Sequence, residues 1–239
     1  MAAVTLLSTR GLTKRYSGLT AVSNVDFELP AGQIRALIGP NGAGKSTFVG
    51  MLSGRIESTS GTVHFNARDI TKMPAHRRIA AGMAYTFQIT SIFSALSVHE
   101  NVALAARRAS IMGVNTRVQE ALSRVNMSDR QKHVASDLSY GHQRLLEIAM
   151  GLVQKPKLFI LDEPTQGLST SEIESFVQLI KSLAGDTTIL LIEHNMDVVM
   201  ATADYITVLN FGEILAEGTA EEIRSNSEVQ AAYLGTSHA

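Results

Sequence analysis

Two short stretches carry most of the chemistry in this chain. Gly39-Pro40-Asn41-Gly42-Ala43-Gly44-Lys45-Ser46, with Thr47 next, fits the pattern G-x-x-x-x-G-K-[ST]. Glycines at these spacings let the backbone wind so that consecutive N–H groups point at phosphate oxygens, and a following helix adds its positive N-terminal end. Lys45 is then the side chain that reaches the β- and γ-phosphates of a nucleoside triphosphate, and the Ser46 hydroxyl is a ligand for Mg2+. Further along, the apolar run Leu158 to Leu161 is closed by Asp162 and Glu163. Neighbouring strand residues point to opposite sides, so adjacent acids at a strand end take different tasks. Asp162 can hold Mg2+, usually through water, and Glu163 can polarise an attacking water. A solvated strand end is the plain alternative for an Asp-Glu pair, and it is the upstream glycine loop that gives the pair a chemical reading.

Three further side chains are candidates. His194 follows the apolar run Thr188 to Ile192 and can hydrogen-bond a γ-phosphate oxygen. Gln88, in AYTFQIT, has an amide able to meet both Mg2+ and the attacking water, although a solvated loop glutamine is the default for that residue type. Tyr16, before the turn SGLT, offers either a face for a purine or a half-buried packing ring.

The elements that must position these groups follow from hydrophobic patterning. Ile34 to Ile38, Leu158 to Leu161 and Thr188 to Ile192 are β-branched, apolar and short, and each ends in polar residues; they read as strands of an α/β sheet, whose ligands lie beyond the strands' C-terminal ends. VTLLSTRGLTKRYSGLTAVSNVDFELPAGQ and SGTVHFNARDI predict an antiparallel β flank. From Val98 to about Asp137 the pattern becomes that of a helical insert, with Ala103, Leu104, Ala106 and Arg107, then Val118, Leu122 and Val125. YITVLNFGEILAEG predicts a hairpin turning at Gly212, followed by a helix over EEIRSNSEVQAAYL. From LSYGHQRLLEIAMG into the residues after it, Leu145, Leu146, Ile148, Ala149, Leu152 and Val153 recur at helical spacing and predict a core helix with a polar start.

Composition bounds the reading. The chain has 239 residues, 45% hydrophobic and 18% charged, enough for one large domain with a sizeable core. Lys and Arg number 21 against 22 Asp and Glu, so there is no basic field of the kind that binds nucleic acid. Cysteine is absent, which suits a cytosolic protein. The beginning, MAAVTLLSTRGLTKRY, lacks the basic-then-apolar order of a signal peptide, and no run approaches the roughly 18 apolar residues of a membrane span. Any membrane role is expected to be peripheral.

The order of GPNGAGKST, Gln88, LSYGHQ, LFILDEP and His194 resembles the ATP-binding subunit of an ATP-binding cassette (ABC) transporter, over nearly the whole chain. LTKRYSGLTAV, TFQITSIFSALSVHENV, LSYGHQRLLEIAMGL, LIEHNMDVVMATADYITVLNFGEILAEGT and VQAAYLG look closest to the branched-chain amino-acid, amide and urea importer group. The resemblance implies an α/β fold, an ABC-type P-loop NTPase core with an antiparallel β flank and a helical subdomain. Residues 1–87 and 155–239 would form the RecA-like core and about 88–154 the helical subdomain. It implies ATP and Mg2+, with residues 39–47 and Tyr16 on the nucleotide. Ser46, Gln88 and Asp162 would be on the metal, and Lys45, Gln88, Glu163 and His194 at the reacting phosphate. It also implies that two such chains pack head to tail, so that Ser139 and Gly141 meet the γ-phosphate held by the partner's loop.

The expected partners are therefore a second ATP-binding subunit, identical or not, transmembrane permease subunits near Ile92, Phe93 and Leu96, and indirectly a solute-binding protein, at the cytoplasmic face of the cell membrane. For Ile92, Phe93 and Leu96, packing of the helical insert is the equal alternative. Two residues depart from the family's usual LSGGQ: Tyr140 replaces a glycine and His142 stands at the glutamine. Ser169 stands where the loop SALD has its aspartate. An ABC exporter ATPase for lipid or lipopolysaccharide, and a non-transport ABC regulatory ATPase, are the rival readings.

Overall fold

The computed structural model describes residues 4–88, 90–109 and 112–234. Of the terminal VQAAYLG, Gly235 lies outside the described residues, as does the start of MAAVTLL. The chain begins with β1 (Thr5–Tyr16), β2 (Leu19–Pro30), β3 (Ile34–Ile38), α1 (Lys45–Ser53), β4 (Ser60–Phe65) and β5 (Arg68–Asp69). Then come α2 (Ala75–Ala80), β6 (Met83–Thr86), α3 (Val98–Ala109), α4 (Val114–Arg124), α5 (Tyr140–Leu152), β7 (Leu158–Asp162) and α6 (Thr170–Leu183). It ends with β8 (Thr188–Ile192), α7 (Met196–Thr202), β9 (Tyr205–Asn210), β10 (Glu213–Gly218), α8 (Ala220–Ser225) and α9 (Ser227–Leu234).

The three expected apolar strands are β3, β7 and β8, all in one six-stranded sheet of order β10-β9-β3-β8-β7-β6. Within it β9, β3, β8, β7 and β6 run parallel, and β10 closes one edge antiparallel to β9. Parallel strands end on one side. The glycine loop after β3, Asp162 and Glu163 at the end of β7, His194 after β8 and Gln88 after β6 therefore emerge along a single sheet edge. β7 and β8 read as nearly continuous apolar runs because both faces are covered, and β3 does so except at Arg35, which pairs with Glu217 at 2.7 Å. Phe159, Leu161, Ile189 and Leu191 pack on the side of α3, α4, α5 and α6, while the alternating Leu158, Ile160, Leu190 and Ile192 pack toward α1 and the second sheet. That second sheet is antiparallel, in the order β2-β1-β4-β5.

The expected hairpin is β9–β10, with Phe211 and Gly212 both at positive φ, 46° and 82°, as a two-residue turn with right-twisted strands requires. The helix expected over EEIRSNSEVQAAYL is instead two helices, α8 and α9, broken at Asn226. Its side-chain oxygen accepts from the N–H groups of Glu228 and Val229, at 2.9 and 3.1 Å, and so caps a new helix where periodicity alone would continue the old one.

The helix that follows the glycine loop is fixed at its far end by Arg78, which is 2% exposed. Its guanidinium donates to the carbonyls of Met51 and Leu52 at 2.8 Å each, of Met73 at 2.7 Å and of Thr71 at 2.9 Å. Burial pulls its pKa down to about 10, with Asp69 acting in the opposite direction. Met is of similar length but donates nothing, so Arg78→Met is expected to cost about 3 kcal/mol or more, because it strips a donor from buried carbonyls. The urea midpoint of purified protein measures this, and an unchanged midpoint would show that the carbonyls need no such donor.

Candidate active site

The loop after β3 needs glycine at two positions because of what crowds them. A Cβ at Gly39 would lie 2.2 Å from the carbonyl oxygen of Leu209 in β9, and one at Gly44 would lie 2.4 Å from that of Ala21 in β2. Both positions also have positive φ, 151° and 99°. The β9–β10 turn pins the outer side: Gly212 N donates to Ala43 O at 2.9 Å, and Ser23 N donates to Gly212 O at 2.8 Å. Lys45 Nζ donates to the carbonyls of Gly39 and Pro40 at 2.5 and 3.0 Å, which holds the ammonium at the mouth of the loop. Burial lowers the Lys45 pKa, and the nearby Glu163 and Asp162 oppose that shift. The cleft has a volume of about 510 Å³. Residues 41–47 form its floor, Gln88 and Glu163 stand on one side, and Leu19, Thr20, Ala21 and Phe211 on the other.

At the reacting end three expected residues meet. Gln88 Nε2 donates to Glu163 Oε2 at 3.0 Å, and His194 Nδ1 lies 3.8 Å from the same oxygen. Glu163 itself has φ 46°, an uncommon value for a non-glycine residue, and this turns the chain sharply after Asp162. A neighbouring cavity of about 480 Å³ is lined by Ser46, Gln88 and Asp162. A hydroxyl, an amide and a carboxylate are hard oxygen donors, suited to Mg2+ that keeps waters and phosphate oxygens in its remaining positions. Among the described residues no group of three or more His, Asp or Glu side chains could hold a metal ion.

Several residues of this edge escaped the sequence reading. Tyr85, on β6, donates its hydroxyl to Asp162 Oδ2. Burial first, and then that bond, push its pKa well up, so it stays a donor. Arg55 lies 3.9 Å above the Tyr85 ring. Glu193, fully buried, accepts from Thr165 N at 3.1 Å and Thr165 Oγ1 at 2.5 Å with one oxygen. Its other oxygen accepts from the N–H groups of His194 and Asn195, at 3.1 and 3.3 Å. It thus ties the loop after Glu163 to the loop that bears His194. A charged residue directly after the four apolar strand residues Ile189 to Ile192 was the available signal. Tyr16, at the end of β1, does not line the cleft; it is half-exposed with Lys14 Nζ 4.9 Å from its ring, and Phe211 is the aromatic that borders the cleft.

Ser139 and Gly141 likewise stand outside their own chain's cleft. Ser139 caps α5, accepting from His142 N at 3.4 Å, and its hydroxyl is 2.7 Å from His142 Nδ1. Gly141 packs under Glu172, where a Cβ would come within 2.2 Å of Oε1. Tyr140, one of the departures from the family pattern, packs against Gly167, two residues before Ser169: a Cβ at Gly167 would lie 3.1 Å from its ring. Ser169 has a use within its own chain, for its N–H and hydroxyl donate to Glu172 Oε2 at 2.9 and 2.7 Å and form the capping box of α6.

A parallel sheet edge that holds a glycine phosphate loop, an Asp-Glu strand end and an adjacent histidine and glutamine defines a P-loop ATPase cassette. The comparisons carry this further. The family model described as ABC transporter matches residues 22–166, and that described as branched-chain amino acid ATP-binding cassette transporter matches residues 213–239. The high-affinity branched-chain amino acid transport ATP-binding protein LivG of Salmonella typhimurium is 40% identical, covering 96% of this chain and 98% of its own length. The corresponding protein BraF of Pseudomonas aeruginosa is 36% identical with the same coverage of both chains. Among solved structures, the ADP conformation of an ATP-binding cassette of an ABC transporter superposes with a TM-score of 0.89 at 26% identity, over 97% of this chain and 99% of that one. The chain belongs to the ABC transporter family, and ATP hydrolysis is its activity.

Glu193→Gln tests the tie between the two loops. The amide still accepts from Thr165, but its NH2 then faces the N–H groups of His194 and Asn195. A loss of about 1–3 kcal/mol in stability is expected from the unmatched donors, together with a lower kcat. Urea denaturation and steady-state ATPase assays measure the two effects, and a variant equal to wild type in both removes Glu193 from the site.

Proposed function

We propose that this chain is the nucleotide-binding subunit of an ABC importer for branched-chain amino acids or related small polar solutes, working on the cytoplasmic face of the cell membrane. The observation that carries the reading is the meeting of Gln88 and His194 on one oxygen of Glu163 beside the Lys45 loop, while Ser139 lies elsewhere on the same chain. The solute class is supported by the names of the two relatives and by the match at residues 213–239. The importer reading also includes permease subunits and, through them, a solute-binding protein.

In this mechanism the amides of residues 39–47 and Lys45 hold the phosphates, and the rim at Phe211 receives the base. Ser46, Asp162 and Gln88 would hold Mg2+, which would supply positive charge beside the phosphate oxygens. Glu163 polarises the attacking water, Gln88 orients it, and His194 donates to the γ-phosphate. Ser139 and Gly141 complete the site of a second subunit, so ATP is part of the interface between the two. Binding then favours the closed pair, and hydrolysis releases it.

Docking of the permease is supported by exposed aromatic and aliphatic side chains along one groove. Phe87, Phe93 and Leu104 are all exposed and border a cavity of about 350 Å³. Ile92 instead packs on the core, so Phe93 is the better anchor of the stretch. Among the described residues no helix is long and apolar enough to cross a membrane, so attachment would be through such contacts.

Lys45→Ala and Glu163→Gln are each expected to lower ATPase activity by about 100-fold or more, since both groups act on charge developing in the transition state. Full activity after both substitutions, in separate proteins, would sink the assignment. Ser139→Arg should abolish ATP-dependent dimerisation of the purified protein, as read by light scattering. A dimer of unchanged affinity would remove Ser139 from the interface.

A further inference from the structure

Arg144 and Glu147 stand one turn apart on α5, the helix that Ser139 opens, and both are buried. An ion pair in an apolar core is costly unless further hydrogen bonds satisfy it, and a well-packed apolar pair of similar volume would serve stability as well. Here the additional bonds all come from one short stretch. Arg144 donates to the carbonyl oxygens of Phe87, at 2.7 Å, and Gln88. Glu147 Oε1 accepts from the N–H groups of Phe87 and Ser91, at 3.2 and 3.3 Å. The pair itself closes at 3.0 Å between Nη1 and Oε2. A single helix thus grips the stretch 87–91 at both ends, and the side chain of Gln88 projects from within it to Glu163.

We propose that Arg144 and Glu147 are positioning residues for hydrolysis: they set where the Gln88 amide stands relative to Glu163, according to the orientation of α5. Neither touches a reacting atom. The inference rests on the function proposed above and adds a route between its two half-sites. A partner's nucleotide that pulls on Ser139 moves the start of α5, and the guanidinium and carboxylate two turns along carry the displacement to Gln88. Glu147 also lines the groove beside Phe93, so a docked permease segment bears on the same pair from the other side.

The test uses the purified full chain with ATP and Mg2+, comparing Arg144→Lys, Gln88→Ala and the double variant. Lysine keeps the charge beside Glu147 but cannot span two carbonyls. Arg144→Lys is expected to lower kcat about 10-fold through misplacement of Gln88, with the dissociation constant for ATP within about 2-fold of wild type. In the Gln88→Ala background the same substitution should add nothing, because residues that act as one unit are not additive. Multiplied losses, or an unchanged kcat with only a lower melting temperature, overturn the proposal and leave the pair a structural one. Where Arg144→Lys does not fold, Glu147→Gln carries the same comparison, since it removes the ion pair and keeps an acceptor for Phe87 and Ser91. Multiplied losses in a protein still disabled by Lys45→Ala refute only this inference, whereas activity that survives Lys45→Ala refutes the functional reading along with it.

Discussion

The approach of Gly39 and Gly44 to two foreign carbonyls, within 2.2 and 2.4 Å of where a Cβ would stand, is the constraint on which the rest of the structure depends. A loop that binds phosphate must leave most of its N–H groups free for the ligand, so it can use few of them to hold itself; Ala43 N, which donates to Pro40 O at 3.2 Å, is one that does. Rigidity has to be supplied from outside. Here β9 supplies it at Gly39 and β2 at Gly44, and the β9–β10 turn adds its bond to Ala43. This explains why an antiparallel flank and a C-terminal hairpin accompany a parallel core: each is a wall of the same loop.

The second organising feature is a pair of glutamates at adjacent strand ends that differ only in solvation. Glu163 is partly exposed on the cleft and shares an oxygen with Gln88 and His194. Glu193 is fully buried and spends both oxygens on Thr165, His194 and Asn195. The first is free for water chemistry, and the second has no lone pair to spare for it. Strand order makes this possible, because β8 lies directly beside β7 and brings the His194 loop against the loop after Glu163. A carboxylate that accepts from several N–H groups ties the loops that carry them more firmly than an apolar residue would.

Legibility in the sequence followed the distance between partners. The glycine loop, Asp162 and Glu163 were legible because their pattern is written in consecutive residues, and β7 and β8 because a strand covered on both faces is almost wholly apolar; β3 was legible despite Arg35 in its middle. Tyr85 was not readable, since its partner Asp162 is 77 residues away, and neither was the Glu193 to Thr165 tie, which spans 28. Arg144 and Glu147 stand among the apolar residues of α5 and look like its solvated face until the fold shows them buried against residues 87–91. Gln88 was named for its amide alone, and its backbone proves as well used as its side chain. The helix break at Asn226 was hidden for a different reason: a capping side chain outweighs periodicity over a single turn.

The departures from the family's usual motif become one local solution when taken together. Tyr140 stands where a glycine is usual, and its ring lies over Gly167, where the related loop has alanine. At that position a Cβ would sit 3.1 Å from the ring, and φ is 79°, so glycine suits the site on both counts. Ser169 replaces an aspartate, and its hydroxyl and N–H go to Glu172, the same residue that roofs Gly141. The start of α5 and the start of α6 are therefore built as a single surface, with a side chain added on one and removed on the other. What an aspartate would offer across a subunit boundary is exchanged here for a cap within the chain. The link between Gly141 and Ser169 runs through Glu172, so the starts of α5 and α6 are joined within the chain.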